Sequence, residues 1–578
     1  MTHQNSYNHR NLIPSPLPKI PYLHTSFLPM RLTLLFLLIV TAISSSAQRG
    51  VYPFAPFDRS QVQAEILDAE ETDGRSMAGK VRYEALNFFD HAVLEDRTWF
   101  LWCSAEGADE LSIYFDDFHL PIGAELTVSD AFGIVLANYD SDENNPHKKF
   151  MTLAVPGDVL LLEYKTSKNN VGVPHLGIMG CGFMVDSAER GNASDFCEVD
   201  VNCPEGEEWQ CQRDAVVKLL VTADGVLYNC SGSLVNTTAL DCRQYLLTAL
   251  HCAWNVQDDE WAFLQVSFNY ETPALDSNND GIPEWQFCGD GSAPINHNRV
   301  GVNYLTDSDD YVEGDGTTGS DFLLLEVEDN IPDEWDPYFA GWDASGWGSS
   351  TGVAIHHPSG DVKKISTYGT ALQSVWVGFP DSHWEVTWLT TSNGAGVTEP
   401  GSSGSPIFNF EHRIIGTLTG GFSACEQGGA GPQTGPNEPD YFGKMNQHFT
   451  NNDNLPEQKL KAWLDPLNTN AQVIYGAYRP CDEGASCEIV SVQELLEIED
   501  LDLYPNPTSG NVTVQRDVTS AQTEVNVFDA WGRLVFTQLL QPGAFNEVAL
   551  EQLQTGVYQV VILADGIRVA SAKVAVVE

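Results

Sequence analysis

The sequence predicts an all-β protein with several domains, and three observations lead to this prediction. Short apolar runs bounded by glycine and proline recur along the chain, whereas long stretches with helical periodicity are scarce. Glycine, proline and tryptophan are abundant, as is typical of short strands joined by turns. At 578 residues the chain is also too long for a single hydrophobic core.

The charge balance excludes two classes of partner. The chain carries 29 basic and 80 acidic residues, which gives a formal net charge of -51. Such a chain repels nucleic acid and anionic membranes, so neither is expected to bind. Cationic peptides and calcium would be attracted, but the simpler explanation of the acidity is solubility after export.

The N-terminus predicts export. Residues 1–29 are polar, proline-rich and without pattern, and indicate either an unstructured segment or a mis-assigned start with Met30 as the initiator. Residues 30–47 have the features of a signal peptide: Arg31, an apolar run from Leu32 to Ile43, and small residues up to a cleavage point after Ala47. The run is too short for a stable membrane span, and no later stretch is long enough.

The next segment, residues 50–190, alternates predicted strands and turns. Leu111–Phe115 and Glu125–Val128 are examples of the strands. No set of residues in this segment suggests a nucleophile, so a structural or accessory role is expected for it.

A serine between glycines is the strongest candidate for chemistry. Residues 398–407 read TEPGSSGSPI and precede a β-like run, which presents Ser403 on a tight loop. Such a loop offers an exposed hydroxyl beside free backbone N–H groups, and those of Gly401 and Ser403 are the candidate oxyanion hole. Taken alone, the loop is weak evidence for a nucleophile and favours an ordinary turn.

Two upstream residues supply the groups that a serine nucleophile needs. His251 ends an apolar strand-like run and lies beside Cys252, and Asp321 immediately precedes a buried-strand pattern. A serine hydroxyl becomes nucleophilic when an imidazole accepts its proton and a buried carboxylate orients that imidazole. His251, Asp321 and Ser403 therefore form a candidate catalytic triad.

These segments resemble the chymotrypsin-like serine proteases and, more closely, the bacterial lysyl endopeptidases. The resemblance runs from about Cys197 to Tyr475. The matching motifs occur in one order: CPEG at Cys203, GSLVN at Gly232, SDF at Ser320, AGWD at Ala340, AIHHP at Ala354 and VTEPGSSGSP at Val397.

The resemblance implies an architecture. Residues 191–479 are expected to form a chymotrypsin-like double β-barrel, and residues 50–190 a β-sandwich prodomain, the alternative being a permanent accessory domain. A maturation site is predicted after Arg190, before small and flexible residues. Because Ser402 replaces the aspartate that precedes the nucleophile in chymotrypsin, activation is expected to follow from prodomain removal and not from a buried ion pair.

The resemblance also implies specificity. Asp440, in DYFGK, corresponds to the aspartate at the base of the family's S1 pocket and would bind a basic side chain. The alternative is a solvated loop carboxylate. Trp376 corresponds to a tryptophan that lines the substrate cleft, and Thr419 replaces the family's active-site histidine, so a strict preference for lysine over arginine is open. His356 and His357 are structural in the family.

Twelve cysteines in an exported chain predict disulfides. The resemblance implies three bridges: Cys197 with Cys425, Cys203 with Cys288, and Cys230 with Cys252. Proximity suggests three more: Cys103 with Cys181, Cys211 with Cys242, and Cys481 with Cys487. A zinc site is disfavoured because no Cys-x-x-Cys or histidine-rich pairing accompanies these residues, and no metal site is assigned.

An acidic insertion is a candidate calcium loop. Asp276, Asn278 and Asp280 place oxygen-bearing side chains at alternate positions before a glycine turn. Phe287 stands where an EF-hand has its final glutamate, so an acidic surface insertion is the alternative. Proteolysis by the triad requires no cofactor.

The C-terminal part predicts a third domain. Residues 480–500 have the composition of an acidic linker, and residues 501–578 show the short strands and turns of a compact β-sandwich. This part resembles the C-terminal sorting domain of the type IX secretion system of Bacteroidetes. The resemblance implies transport across the outer membrane, followed by release or surface attachment. A carbohydrate-binding or adhesive sandwich is the alternative.

Together these features predict a secreted or cell-surface serine endopeptidase that cleaves after lysine, or after arginine as well. Its expected partners are peptide substrates with basic residues and the type IX secretion machinery, and the enzyme is expected to be a monomer. Two alternatives stay open: a trypsin-like protease of broader specificity, and a catalytically silent surface protein used for adhesion.

Overall fold

The computed structural model describes residues 50–577 except 73, 167–171, 186–193, 254, 276–287, 290–292, 309–318, 378, 429–432, 453, 482–484, 487–498, 519–522, 529–533, 542 and 565–566. The predicted signal peptide, the predicted cleavage after Arg190 and the candidate calcium loop lie outside these residues, as does Cys487. Among the described helices none is long and apolar enough to cross a membrane.

The N-terminal domain is a β-sandwich with eleven described strands. They are β1 (Val51–Pro53), β2 (Ser76–Asn87), β3 (Val93–Glu95), β4 (Thr98–Ser104), β5 (Glu110–His119), β6 (Glu125–Asp130), β7 (Val135–Tyr139), β8 (Phe150–Met151), β9 (Val155–Pro156), β10 (Val159–Lys165) and β11 (His175–Met184). One sheet has the order β1-β4-β10-β6-β7, with β3 on β4, and faces a second sheet that contains β2, β11 and β5. Leu101 and Leu162 of the first sheet share a buried core with Ile113 and Phe115 of the second.

Two helices interrupt this strand pattern. They are α1 (Arg59–Thr72) and α2 (Phe88–His91). The sequence analysis expected only strands and turns here. Val62 and Ile66 lie one helical turn apart and are both buried, so they anchor α1 to the sandwich core.

The first barrel of the next domain contains seven described strands. They are β12 (Val216–Ala223), β13 (Val226–Leu234), β14 (Tyr245–Thr248), β15 (Gln265–Ser267), β16 (Asn298–Val300), β17 (Val302–Asp307) and β18 (Leu323–Val327). The pairing runs β13-β12-β15-β16, continues through Gly301 into β17, and returns through β18 and β14 to β13. The strands therefore close on themselves around a core of aliphatic side chains such as Leu219, Leu246 and Leu325.

The second barrel is built on a nine-stranded sheet, with three short strands nearby in sequence. The strands are β19 (Tyr338–Phe339), β20 (Trp342–Asp343), β21 (Gly352–His356), β22 (Lys364–Tyr368), β23 (Gln373–Val377), β24 (Phe379–Val386), β25 (Pro406–Asn409), β26 (Ile414–Gly421), β27 (Asp440–Lys444), β28 (Val473–Ile474), β29 (Ala477–Tyr478) and β30 (Ala485–Ser486). Leu247 and Phe322 of the first barrel share a buried cluster with Val353 and Phe408 of the second. The two barrels therefore pack directly against each other.

Short helices connect these strands. The α-helices are α3 (Gln210–Ala215) and α4 (Leu460–Leu464), and the single helical turns are Ser141–Glu143, Pro204–Trp209, Leu250–Cys252, Trp261–Phe263, Asp333–Trp335, Pro358–Gly360, Gln447–Asn451 and Pro456–Gln458.

The C-terminal domain is a second sandwich. Its strands are β31 (Glu499–Asp500), β32 (Asp502–Tyr504), β33 (Asn511–Val518), β34 (Thr523–Phe528), β35 (Leu534–Leu539), β36 (Gly543–Ala549), β37 (Gly556–Ala564) and β38 (Ile567–Val576). A five-stranded sheet and a three-stranded sheet share a core that includes Val514, Val525, Val548 and Ile562. The predicted all-β fold, with two barrels between two sandwiches, is confirmed.

One strand pairing crosses the expected boundary between the first two domains. Strand β2 pairs antiparallel with β13, from Ser76 opposite Asn229 to Lys80 opposite Val226. The second sheet of the N-terminal sandwich is therefore continuous with the first barrel, as one sheet of twelve described strands. Sequence patterns gave no sign of this pairing because they report which residues form strands, not which strands meet.

The structure contains the three bridges that the resemblance implied, and it corrects the three suggested by proximity. Cys197 is bonded to Cys425, Cys203 to Cys288, and Cys230 to Cys252. Cys242 is bonded to Cys481, so the suggested pairs Cys211 with Cys242 and Cys481 with Cys487 are wrong. Cys103 and Cys181 are free thiols buried on opposite sheets of the N-terminal sandwich, so that suggested bridge is absent as well. Proximity in sequence failed because Cys242 and Cys481, which are 239 residues apart, are brought together by the fold.

Candidate active site

His251 is held by strand packing and by a disulfide. It lies in the helical turn Leu250–Cys252, directly after the fully buried strand β14. The adjacent Cys252 is bonded to Cys230 in β13. Strand β14 before His251 and the disulfide of Cys252 after it are both fixed. The imidazole therefore has a defined position at the end of the barrel.

Asp321 reaches His251 because their strands are neighbours. It lies just before β18, whose Leu323 is paired with Thr248 of β14. The fully buried carboxylate accepts a hydrogen bond from His251 Nδ1 at 2.7 Å through Oδ2, and from the His251 backbone N–H at 3.0 Å through Oδ1. A carboxylate partner requires the proton on Nδ1, so Nε2 carries the lone pair that a general base needs.

The backbone of Asp321 is in the left-handed region, with φ of 57°. An aspartate in this conformation is strained and persists only where its surroundings hold it. The surroundings here include a relay behind it: His448 Nδ1 lies 2.8 Å from Ser320 Oγ, and His448 Nε2 lies 3.0 Å from Thr417 Oγ1. The relay ties the residue before Asp321 to β26 of the second barrel.

The loop of Ser403 is pressed against the strand that carries the histidine's bridge. The Ser403 carbonyl oxygen accepts a hydrogen bond from the backbone N–H of Ser231 at 2.8 Å, and the sulfur of Cys252 lies 3.6 Å from that same oxygen. A Cβ on Gly404 would lie 2.1 Å from Thr248 Oγ1, and Gly404 has φ of 79°. A glycine is therefore required for the loop to approach the end of β14, just before His251.

Three segments of the chain contact β13 one after another along its length. Asn229 pairs with Ser76 of the N-terminal domain, Ser231 bonds to Ser403, and Ser233 pairs with Leu247 of β14. The nucleophile loop thus occupies the gap between the N-terminal domain and the strand that leads to His251. Ser403 is mostly buried, with 7% of its surface exposed.

The candidate oxyanion donors lie in the same loop. Gly401 has φ of 99°, and a Cβ there would lie 2.9 Å from the Ser359 nitrogen and 3.0 Å from the His357 oxygen. Only glycine fits this position. Neither the Gly401 nor the Ser403 backbone N–H donates a hydrogen bond to another described residue, so both are available to an incoming oxyanion.

A buried histidine braces the residue before the nucleophile. Ser402 Oγ accepts a hydrogen bond from the Glu399 backbone N–H at 3.2 Å and lies 2.8 Å from His356 Nδ1. His356 Nε2 lies 2.8 Å from Ser366 Oγ, whose proton is donated to the Val397 carbonyl at 2.8 Å. Since Ser366 must accept from the ring, Nε2 carries the proton and Nδ1 accepts the Ser402 proton.

Burial lowers the pKa of His356 to about 3, so the ring is neutral over the ordinary pH range. Its chain of hydrogen bonds spans the start of the nucleophile loop at Val397 and the residue before the nucleophile. From the resemblance, His356 was expected to be structural, with no role in the active site. The absence of an aspartate at Ser402 was the one available signal that another group must brace this loop.

Asp440 lies at the start of β27 and is almost fully buried. Its Oδ2 accepts hydrogen bonds from Trp388 Nε1 at 2.6 Å, Thr398 Oγ1 at 2.8 Å and Ser423 Oγ at 2.5 Å. Its Oδ1 accepts one, from the Ser423 backbone at 3.0 Å. Burial raises the pKa of Asp440, and these hydrogen bonds oppose the rise.

A glycine packs directly against one oxygen of Asp440. Gly421 of β26 is paired with Asp440, and a Cβ on Gly421 would lie 2.0 Å from Oδ1. Any side chain there would cover the less bonded oxygen. Glycine is therefore the residue that fits beside Oδ1, which accepts a single hydrogen bond.

Trp376 and Thr419 lie on strands that are not neighbours in the sheet. Trp376 lies on β23 and is 69% exposed, while Thr419 lies on β26, with β27 and β24 between these strands in the sheet. Thr419 Oγ1 lies 3.0 Å from Nε2 of the buried His383. A histidine that the sequence analysis did not consider therefore lies behind the position of the family's active-site histidine.

Two packed β-barrels with a histidine–aspartate pair and a glycine-flanked serine loop at their junction define a class, the chymotrypsin-like serine proteases. Within this class, residues 191–443 match the family described as lysyl endopeptidase, C-terminal domain. Residues 502–577 match the family described as secretion system C-terminal sorting domain. Both resemblances predicted from the motifs are thus confirmed.

The chain is also similar to individual proteins. The chain is 29% identical over 297 residues to a lysyl endopeptidase of Pseudomonas aeruginosa, over 48% of this chain and 58% of that protein's length. The chain thus spans less than two thirds of that relative. Similar solved structures include the thermostable serine protease AL20 from an extremophilic microorganism (TM-score 0.24, 12% identity, 40% of this chain and 92% of that chain) and the protease Anisep from Arthrobacter nicotinovorans (TM-score 0.26, 13% identity, 40% and 90%).

Proposed function

We propose that the protein is an exported serine endopeptidase that hydrolyses peptide bonds after lysine. The observation that carries the proposal is the hydrogen bond between His251 Nδ1 and the buried Asp321, beside a Ser403 loop that is hydrogen-bonded to Ser231 of strand β13. A silent adhesion protein would have no need of a strained aspartate, an oriented imidazole and two available amides in one place.

The proposed mechanism follows from these groups. Ser403 Oγ attacks the scissile carbonyl while His251 Nε2 takes its proton, and the new oxyanion binds the N–H groups of Gly401 and Ser403. The imidazolium, stabilised by Asp321, gives the proton to the leaving amine as the C–N bond breaks. Water then attacks the acyl-enzyme with His251 as base, which releases the carboxylic acid and restores the serine.

The surroundings of Asp440 support a preference for lysine over arginine. An arginine guanidinium binds a carboxylate best when both oxygens are free for two parallel hydrogen bonds. Here Oδ2 already accepts three hydrogen bonds, whereas Oδ1 accepts one. A lysine ammonium is a point charge that needs one such oxygen, so it fits this carboxylate better. A broader trypsin-like specificity is the alternative.

The sorting-domain match indicates export and supports a secreted or cell-surface location, with the type IX machinery as a partner. The candidate calcium loop at residues 276–287 remains a separate prediction.

The function is tested with lysyl, arginyl and glutamyl amide substrates and two matched proteins. The Ser403→Ala variant should lose hydrolysis of the lysyl amide by at least about 10⁴-fold and keep the circular dichroism and melting temperature of the parent. Unchanged turnover would assign the nucleophile elsewhere. Equal rates for the three substrates would remove the proposed role of Asp440.

A further inference from the structure

The N-terminal domain and the first barrel are joined by backbone pairing between strands as well as by the covalent chain. Four described residue pairs of β2 and β13 continue the sheet from one domain into the other, and the Val81 N–H adds a hydrogen bond to the Gly225 carbonyl at 2.8 Å. Backbone pairing of this kind adds a strand to an otherwise open edge, a recurrent mode of protein association.

The hydrophobic core is also shared. The buried cluster of the N-terminal sandwich includes six residues of the protease domain: Leu220, Ala223, Leu227, Tyr228, Phe263 and Val300. The Tyr114 and Phe263 rings lie 5.0 Å apart, and the Tyr114 hydroxyl lies 2.8 Å from Thr222 Oγ1. Separation of the domains would expose these apolar side chains to water and leave a buried hydroxyl without its partner.

A buried cation lies where β2 begins. The Arg75 guanidinium is 4.0 Å from the centroid of the Tyr228 ring and donates hydrogen bonds to Tyr228 Oη and Asn255 Oδ1, both at 3.2 Å. Arg75 is only 6% exposed. The contact joins the N-terminal domain both to β13 and to the loop that follows His251.

We propose that residues 50–185 form a permanent partner of the protease domain, which stays bound along the β13 edge beside Ser403 after the connecting chain is cut. On maturation, the connecting chain is then cleaved but the N-terminal domain does not dissociate. Ser76 lies opposite Asn229 on β13, two residues before the Ser231 that is hydrogen-bonded to Ser403, so the retained domain stays close to the nucleophile loop.

The test uses the full chain with Ser403→Ala, so that the protein cannot cut itself and the outcome is independent of the proposed proteolysis. A recognition sequence for an unrelated, highly specific protease is placed between Val185 and Ser194, and the cut protein is examined by sedimentation velocity over a dilution series. We expect both fragments in a single species down to about 1 μM, as for other large apolar interfaces. Two separate species, or a soluble N-terminal fragment with aggregated protease domain, would overturn the proposal.

A matched pair of variants locates the interface. Arg75→Ala, made in the same cut protein, should weaken the complex by at least about ten-fold, because the Tyr228 ring loses its cation and the buried Tyr228 and Asn255 oxygens lose a hydrogen-bond donor. Arg82 also lies on β2 but donates to Pro56 within the N-terminal domain, so Arg82→Ala should leave the complex unchanged. Equal behaviour of the two variants would overturn the assignment of the contact to the start of β2.

Discussion

The bracing of the nucleophile loop by His356 leads to a quantitative prediction. Replacing His356 with Phe removes the acceptor for the Ser402 proton and the donor to Ser366, both in a fully buried site. Each buried polar group left unpaired costs about 1–3 kcal/mol, so the free energy of unfolding should fall by about 2–6 kcal/mol. The folded fraction should still carry an intact His251–Asp321 pair.

Catalysis should suffer separately from stability. Ser402 lies between the two candidate oxyanion donors, Gly401 and Ser403, and loss of one such donor costs about 3 kcal/mol in the transition state, or about 100-fold in rate. We expect His356→Phe to lower kcat on a lysyl amide by about 100-fold, with KM changed less than about three-fold. A peptide aldehyde should lose affinity in parallel with kcat, because it forms the same oxyanion.

Two variants serve as controls for this prediction. His356→Asn places an amide oxygen where Nδ1 was and can still accept from Ser402, so its kcat should remain within about ten-fold of the parent. His412 is another neutral histidine, partly buried, stacked on Trp209 and outside the loop of residues 398–407, so His412→Phe should cost stability without a loss in kcat. If the Asn and Phe variants at position 356 have the same kcat, or if the loss lies in KM alone, the proposed bracing is wrong.

Two further predictions concern specificity and acid stability. Asp440→Asn should lower kcat/KM for lysyl amides by at least about 100-fold relative to a neutral P1 substrate, since the P1 cation loses a buried counter-charge, and an unchanged ratio would place the S1 determinant elsewhere. Burial lowers the pKa of His448 to about 3, so this residue contributes stability that is fully present above pH 6.5 and is lost as the pH falls toward 3. In urea titrations between pH 5 and 4, His448→Gln should therefore reduce the fall in unfolding free energy by about 1.4 kcal/mol per pH unit relative to the parent. Identical slopes for the variant and the parent would contradict the assignment.

Local patterns carried the prediction of the domain types and of most groups in the candidate site. A histidine after an apolar strand, an aspartate before one and a serine among glycines are all visible within a few residues, and the fold brings His251 to Asp321 and the Ser403 loop to the same strands. The presence of strands was predictable because apolar and polar residues alternate along a strand that buries one face.

What could not be predicted depends on contacts between distant residues. The pairing of β2 with β13 and the bond between Cys242 and Cys481 join segments with no shared local pattern. The hydrogen bonds of His356 to the nucleophile loop could not be predicted either. From the sequence, a histidine in a buried strand is indistinguishable from a core residue, and only the structure shows its two nitrogens bonded to Ser402 and Ser366. The sequence indicated a functional carboxylate at Asp440. It could not indicate that one oxygen of this carboxylate already accepts three hydrogen bonds.

The bridge between Cys230 and Cys252 also separates synthesis from activity. The cytoplasm keeps thiols reduced, so the loop that carries His251 is pinned only after the chain reaches an oxidising compartment. A nascent chain would therefore lack a fixed general base while it is still among the proteins of its own cell. Formation of this disulfide would then fix the proposed general base only after the chain has left the cytoplasm.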